Sequence, residues 1–273
     1  MPFQRATRQQ ARLRMAIIGP AGCGKTMTAL KLATALGGRV AMIDTEHGSA
    51  SHYADQFEFD SLEMTNFDPR NYVKAIGEAE AAGYDVLIID SLSHAWMGHG
   101  GALEMVDQAA KRSQSGNSFA AWRDVTPLHN QLVEAMLASK LHLIVTLRAK
   151  TEYAMEQDDK TKRMTVRKLG LAPIQRDGLE YEFDVTADMT LDNVLIVSKT
   201  RCAALTGKMF EKPGDDLAAI IRAWLSGGAP AAPSPAAQQK APDQPQQPQR
   251  PPAQQRPQQP PTNGNGQSKL DPL

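Results

Sequence analysis

A glycine-rich segment near the start of the sequence contains the residue types that bind phosphate. From Gly19 to Thr26 the chain reads Gly-Pro-Ala-Gly-Cys-Gly-Lys-Thr, which matches the pattern Gly-x-x-x-x-Gly-Lys-Thr at every fixed position. Gly22 and Gly24 allow successive backbone N–H groups to turn towards the phosphates, where a side chain would block them. We expect Lys25 to reach the β- and γ-phosphates and the Thr26 hydroxyl to bind Mg²⁺. The predicted nucleotide-binding residues are Gly19, Pro20, Ala21, Gly22, Cys23, Gly24, Lys25, Thr26 and Met27.

Two acidic residues follow apolar segments and could complete this chemistry. Asp90 comes directly after the apolar run Val86–Ile89, where a carboxylate can hold the Mg²⁺ shell; the alternative is an aspartate in a turn at a strand end. Ser91 follows it, and either residue could orient a metal-bound water. Glu46 stands just past the apolar run Val40–Ile43, at the sheet edge where open α/β folds bind ligands. It could polarise an attacking water as a general base, or it could be a solvated loop glutamate.

Apolar strands alternate along the chain with segments of helical periodicity. The predicted strands are Leu13–Ile18, Val40–Ile43, Val86–Ile89 and Leu141–Leu147. The predicted helices are Lys25–Leu36, Tyr72–Ala82, Phe119–Ala138 and Asp215–Leu225. Tyr181–Met189 and Val194–Lys199 predict an antiparallel hairpin that follows them. Alternation of this kind indicates an α/β fold with a mainly parallel sheet and helices on both faces.

The composition divides the chain into three parts. Residues 1–12 form a basic N-terminal segment, residues 13–226 are enough for one domain with a sizeable core, and residues 227–273 are rich in proline and glutamine. The last part has few large apolar residues, so we expect a disordered tail. Lys+Arg and Asp+Glu both number 30, which excludes a uniformly basic protein. No apolar run approaches the roughly 18 residues that span a bilayer, and we expect a soluble cytoplasmic protein without a membrane partner.

Three segments in this order resemble the RecA family of recombinase ATPases. They are Gly19–Thr26, Ile43–His47 (Ile-Asp-Thr-Glu-His) and Val86–Ser91 (Val-Leu-Ile-Ile-Asp-Ser). The resemblance implies a RecA-like P-loop NTPase core that uses ATP and Mg²⁺. It also implies that Glu46, the glutamate of the Asp-x-Glu-His segment, is catalytic together with Lys25.

Two later segments resemble parts of the same family that act in DNA coupling and in assembly. Leu143–Arg148 resembles the strand that couples the γ-phosphate to DNA binding, although the family often has glutamine where this chain has Thr146. Val197–Ala203 resembles the Lys-x-Lys segment that crosses a subunit interface to the neighbour's γ-phosphate. The resemblance therefore implies a homo-oligomer, either a ring or a filament, in which Lys199 and Arg201 act in trans.

The run over residues 13–226 resembles the short bacteriophage members of this superfamily, which are RecA-like ATPases linked to single-strand annealing. The segments that carry this similarity are Phe119–Trp122, Arg148–Lys150, Leu169–Arg176, Tyr181–Asp184 and Lys199–Arg201. It implies an ATPase that binds single-stranded DNA, is stimulated by it, and acts in recombination or annealing in the bacterial host cytoplasm. The last five residues faintly resemble the tips of single-strand-binding proteins, which implies such a protein as a further partner. The alternative is that residues 227–273 are a passive linker.

If the fold is RecA-like, DNA-binding loops should follow two of the predicted strands. The first candidate is His94–Ser118. The second is Ala149–Gly170, in which Tyr153 could stack on a base beside cations that bind phosphate. Its predicted DNA-binding residues are Lys150, Lys160, Lys162, Arg163, Arg167 and Lys168. The alternative is a solvated β-hairpin in which Thr151–Met155 pairs with Met164–Lys168.

Assembly and turnover leave further alternatives open. Phe3–Ala6 (Phe-Gln-Arg-Ala) resembles the Phe-x-x-Ala segment by which related recombinases polymerise, and a frayed terminus is the alternative. A P-loop kinase of a small acceptor would transfer phosphate without any dependence on DNA. A nucleotide-gated adaptor or loader would bind ATP with little turnover.

Overall fold

The computed structural model describes residues 12–112, 118–157 and 164–227. Within these ranges, nine strands join in one sheet with the order β3-β2-β4-β5-β1-β7-β8-β9, and β6 pairs with β5 alone. The strands are β1 (Arg14–Gly19), β2 (Val40–Asp44), β3 (Asp60–Glu63), β4 (Val86–Asp90), β5 (His142–Gln157), β6 (Met164–Pro173), β7 (Val185–Met189), β8 (Val194–Thr200) and β9 (Met209–Glu211). The helices are α1 (Lys25–Leu36), α2 (Pro69–Ala81), α3 (His94–Met97), α4 (Ala102–Arg112), α5 (Ser118–Ala138) and α6 (Asp215–Ser226).

The sheet is parallel from β3 through β7 and antiparallel from β7 to β9. This confirms the predicted α/β fold, including its mainly parallel sheet and its C-terminal antiparallel hairpin. The predicted tail lies outside the described residues, apart from Gly227, so the predicted division of the chain into 1–12, 13–226 and 227–273 stays a prediction.

The central strand β1 is buried because both of its faces are covered. Met15 and Ile17 belong to a core that includes residues of α1 and α6, whereas Ala16 and Ile18 belong to a core that includes residues of α2 and α5. Alternate residues of a strand point to opposite faces, so residues 15 to 18, which lie between two helical layers, are all apolar. The phosphate-binding loop therefore begins at the end of a fully buried strand.

The segment from His94 to Ser118 corrects one sequence-based expectation. We expected a DNA-binding loop, but the described part contains helices α3 and α4, and α5 begins at Ser118. Ala102 and Val106 face inward and pack in a small core with Val125 of α5. This burial stabilises helix where the glycines and polar residues of the segment suggested a loop.

The strand predicted to end at Leu147 is instead 16 residues long and continues as the first arm of a hairpin. Its outer part pairs with β6 in antiparallel register, from Ala149 opposite Pro173 to Gln157 opposite Met164. The β-hairpin that was the alternative interpretation of this segment is therefore present. Its binding of DNA stays a prediction.

Arg14 ties the N-terminal end of β1 to the end of α5. Its side chain is only 7% exposed, and one guanidinium nitrogen donates to the carbonyl oxygens of Leu141 at 2.7 Å and Leu13 at 3.0 Å. The other donates to the carbonyl oxygens of Leu137 and Ser139. Burial lowers the pKa of Arg14. The guanidinium thus satisfies carbonyl groups that the helix end leaves without partners.

Replacing Arg14 with methionine should lower the free energy of unfolding by about 2 kcal/mol, because buried carbonyl groups would lose their donors. Denaturant unfolding followed by circular dichroism measures this change. Arg222 is an exposed arginine of α6, and Arg222→Met is the matched control that should leave stability unchanged. Equal unfolding midpoints for the two variants would contradict the assigned role of Arg14.

Candidate nucleotide-binding and catalytic site

The loop between β1 and α1 has the conformation that its glycines allow. Gly22 has φ 78° and Gly24 has φ 89°, both in the left-handed region that favours glycine. Gly24 is the residue before the first turn of α1, so the loop leads directly into a helix N-terminus, where backbone N–H groups attract anions. The predicted strand–loop–helix arrangement around Lys25 and Thr26 is therefore present.

Neighbouring side chains restrict the loop from two sides. A Cβ atom at Gly19 would lie 2.6 Å from the Cys23 sulfur and 2.9 Å from the Met189 carbonyl oxygen. A Cβ atom at Gly24 would lie 3.1 Å from the side-chain amide atoms of Asn193, in the turn between β7 and β8. Asn193 could not be predicted as a neighbour of the loop, because nothing in the sequence indicated that this turn packs against it.

Cys23 is a packing residue of the loop. The side chain is 1% exposed and belongs to the core beneath α1. Burial raises the pKa of its thiol, which favours the protonated form.

Lys25 lies against the same loop. Its ammonium group donates to the carbonyl oxygens of Gly19 at 3.0 Å and Pro20 at 2.8 Å. Both acceptors belong to the loop that would surround the phosphates. The positive charge therefore lies against the loop, whereas the contact of Lys25 with the β- and γ-phosphates stays a prediction.

Asp90 is held between two threonine hydroxyl groups. Thr26 donates to its Oδ2 at 2.5 Å, and Thr146 of β5 donates to its Oδ1 at 2.5 Å. The carboxyl is 4% exposed, and burial raises its pKa, while both hydroxyl hydrogen bonds act in the opposite direction. Thr146, at the position where the RecA family often has glutamine, thus contacts the carboxylate predicted to bind the metal.

This arrangement fits a magnesium ion. Mg²⁺ prefers oxygen ligands, and the Thr26 hydroxyl and the Asp90 carboxylate present them next to the phosphate loop. A cation there would also compensate the cost of burying the Asp90 charge. Thr26 and Asp90 are the residues that would hold the ion, which supplies charge neutralisation for phosphoryl transfer.

The loop that carries Glu46 is fixed by the preceding aspartate. The Asp44 carboxylate accepts from the backbone N–H groups of Glu46 at 2.7 Å and Ala50 at 3.0 Å. Asp44 pairs with Asp90 in the β2–β4 register, so Glu46 follows β2 at the edge of the sheet where β4 ends at Asp90. The structure brings both predicted carboxylates to this edge, whereas the catalytic role of Glu46 stays a prediction.

The Glu46 carboxylate is engaged by an arginine that the sequence analysis did not single out. Arg148 Nε donates to Glu46 Oε1 at 2.9 Å, and a second guanidinium nitrogen donates to Oε2. Both side chains are partly exposed. The two residues are 102 positions apart in the sequence, so no local pattern could have predicted the pair.

Ser91 has a different position from Asp90. It is fully buried, its N–H donates to Thr45 Oγ1 at 2.7 Å, and its own hydroxyl accepts from the Ser93 N–H at 3.3 Å. The Thr45 hydroxyl also lies 2.6 Å from His94 Nδ1. These bonds join the segment that follows β2 to the segment that follows β4.

Lys199 and Arg201 lie away from the phosphate loop of their own chain. Lys199 donates to the backbone carbonyl oxygens of Tyr181 at 2.6 Å and Phe183, and burial lowers its pKa. Arg201 forms an ion pair with Asp184 at 2.8 Å. By strand register they lie level with residues 16 and 14, about 10 and 17 Å before the end of β1 at about 3.3 Å per residue. A role for either in trans stays a prediction.

The predicted DNA-binding residues are only partly described. Lys150 is exposed on β5, and the backbones of Arg167 and Lys168 lie on β6 opposite Ala154 and Tyr153. Lys160, Lys162 and Arg163 lie outside the described residues, as does the segment Phe3–Ala6.

A parallel sheet, a glycine-rich loop between its first strand and first helix, and an aspartate at the end of a nearby strand define a P-loop NTPase. The chain matches the model of the AAA domain family over residues 11–208, and it belongs to that family. The match confirms the predicted P-loop ATPase, a class that generally uses ATP and Mg²⁺. No curated protein matches the chain. No helix among the described residues is long and apolar enough to cross a membrane.

Proposed function

We propose that this ATPase binds single-stranded DNA and uses Mg²⁺-dependent ATP hydrolysis in recombination or strand annealing of the bacteriophage type. The observation that supports this is the β5–β6 hairpin. Its first arm is the outer part of β5, and the inner part of β5 lies between β4 and β1 in the ATPase sheet. Residues 149–170 contain six cations, among them Lys150, Arg167 and Lys168, against four carboxylates, so the segment has a net positive charge. A hairpin of net positive charge that continues β5 beyond the sheet edge of Asp90 and Glu46 could couple contacts with DNA phosphates to ATP turnover.

In this proposal each residue of the site has a separate task. Lys25 neutralises the β- and γ-phosphates, and Thr26 and Asp90 hold Mg²⁺. Glu46 orients the attacking water and accepts its proton. The leaving group is ADP, and the products are ADP and phosphate.

The proposal includes assembly into a ring or filament. Lys199 and Arg201 of one subunit would then stabilise the charge that develops at the neighbour's γ-phosphate. Both would have to exchange contacts within the chain, including the Arg201–Asp184 ion pair, for contacts across the interface. A single-strand-binding protein is a further proposed partner, and the host cytoplasm is the proposed location.

The direct test is ATP hydrolysis with and without single-stranded DNA over a salt series. We expect stimulation by DNA that fades as salt rises, because phosphate contacts release counterions. Turnover that is indifferent to DNA at low salt would contradict the proposal. Transfer of phosphate to a small acceptor instead of water would favour a kinase.

Replacing Lys162 and Arg163 together with alanine should lower single-strand affinity about tenfold at low salt. The slope of log affinity against log salt should also become shallower by about 1.4, which corresponds to two lost phosphate contacts. Fluorescence anisotropy with a labelled oligonucleotide measures both quantities.

The matched control replaces two exposed cations of other elements, Lys74 of α2 and Arg222 of α6, with alanine. It removes the same net charge and should leave the affinity unchanged. Equal losses in the two double variants would mean that only overall charge matters, and wild-type binding by Lys162→Ala/Arg163→Ala would remove the hairpin from the proposal.

A further inference from the structure

The ion pair between Glu46 and Arg148 occupies the group on which hydrolysis is proposed to depend. Arg148 uses Nε and a terminal nitrogen, and each contacts a different oxygen of the carboxylate. Two parallel N–H···O bonds of this kind fix direction as well as distance. The pair uses one lone pair of each oxygen and fixes the direction in which the carboxylate points, so the carboxylate cannot turn towards a water elsewhere until the pair shifts or opens.

The position of Arg148 is set by its backbone. Its N–H donates to the Ser93 hydroxyl at 2.9 Å, and its carbonyl oxygen accepts from the Ile174 N–H at 2.7 Å. It is also the last residue of β5 paired with β1, opposite Gly19. Three elements therefore hold the residue whose side chain holds Glu46.

Ser93 connects this arrangement to the metal-binding carboxylate. It lies three residues after Asp90, and the intervening Leu92 N–H donates to the Thr146 carbonyl oxygen at 3.0 Å. Gln175, just past β6, donates to the Leu92 carbonyl oxygen at 3.0 Å. The restraint on Glu46 thus shares its supports with the segment that follows Asp90.

We propose that Arg148 is a positioning residue that restrains Glu46, and that ATP hydrolysis requires the forked pair to open. This inference rests on the proposed role of Glu46 as the base. In the closed pair the carboxylate points at the guanidinium. In the open pair the carboxylate can turn so that one oxygen accepts a proton from the attacking water. The water oxygen then bonds to the γ-phosphorus as the bond to ADP breaks.

The test compares steady-state hydrolysis of the full chain with Mg²⁺ and ATP alone, for wild type, Arg148→Met, Arg148→Lys, Glu46→Gln and the double variant Arg148→Met/Glu46→Gln. Methionine keeps the aliphatic bulk of arginine without its donors. We expect Arg148→Met to raise basal kcat about three- to tenfold with the KM for ATP within about twofold, since binding groups are untouched. Lysine keeps the charge but not the fork, so Arg148→Lys should fall between.

Two comparisons separate this inference from a general effect on the fold. The double variant should be as inactive as Glu46→Gln, because the gain acts through Glu46. Arg70→Met removes another forked arginine, which holds Asp68 through Nε at 3.0 and 3.1 Å, and should leave kcat unchanged.

The outcomes distinguish the two proposals. If Glu46→Gln is inactive and Arg148→Met is slower than wild type or equal to it, the restraint is overturned and Glu46 keeps its role. If Glu46→Gln turns over like wild type, the role of Glu46 fails, and the inference fails with it. A gain of equal size in Arg70→Met would also overturn the assignment to Arg148.

Discussion

Glu46→Gln should lower kcat for ATP hydrolysis about a hundredfold or more while ATP affinity changes less than twofold. Glutamine keeps the shape of the side chain but cannot accept the proton of the attacking water. Lys25, Thr26 and Asp90, which are proposed to bind the nucleotide and the metal, are unchanged. Phosphate release gives kcat, and titration with a fluorescent ATP analogue gives the affinity.

Glu58 provides the matched control, because it is an exposed loop glutamate before β3. Glu58→Gln should leave kcat and affinity unchanged. If Glu46→Gln hydrolyses ATP at the wild-type rate, Glu46 is a solvated loop residue. If the variant supports the proposed annealing of DNA although turnover is lost, the protein acts as a nucleotide-gated adaptor.

Asp90→Asn should lower kcat/KM about a hundredfold, since the loss of a metal ligand removes several kcal/mol of charge stabilisation. The free energy of unfolding should nevertheless stay equal or rise by about 1 kcal/mol, because a buried carboxylate without a cation costs stability. The asparagine oxygen can still accept from one of the two threonine hydroxyls. Kinetics at several Mg²⁺ concentrations and denaturant unfolding measure the two effects.

The raised pKa of Asp90 gives this prediction a pH dependence. Its folded-state pKa lies above the ordinary value. As the pH falls, Asp90 therefore becomes protonated, and loses its ability to bind metal, at a higher pH than an exposed aspartate. Mg²⁺ competes with the proton, so the acid side of the rate profile should move to lower pH as Mg²⁺ increases. An acid side that ignores Mg²⁺ would contradict the assignment.

Asp188→Asn is the matched control, because burial also raises the pKa of Asp188 on β7. It should show the same direction of stability change with unchanged kinetics. Loss of activity in both variants would trace the effect to the fold instead of to the metal.

The phosphate loop could be predicted because its chemistry depends on fixed residues at short spacing. Asp90 could be placed because an apolar strand ends there and parallel strands end at one edge. The contact of Thr146 with Asp90 could not be predicted, since it crosses 56 positions and depends on β4 and β5 being neighbours. The pair of Glu46 and Arg148 required still more, namely the order of three strands.

Two segments were misjudged for opposite physical reasons. His94–Ser118 has glycines and polar residues at its ends, which concealed the apolar positions of α4 that pack on α5. The strand predicted to stop at Leu147 continues, because β6 supplies hydrogen-bond partners for the backbone of β5 beyond the point where β5 leaves the main sheet. In both places long-range contacts outweighed local composition.

The 16-residue strand β5 has different neighbours along its length. Its inner part pairs with β4 and with β1, whereas its outer part pairs, among the described strands, with β6. If the outer part moves, we expect β5 to bend most where its pairing with the main sheet ends. The pairing with β1 ends at Arg148 and the pairing with β6 begins at Ala149, so a displacement of the hairpin would act next to the residue that contacts Glu46.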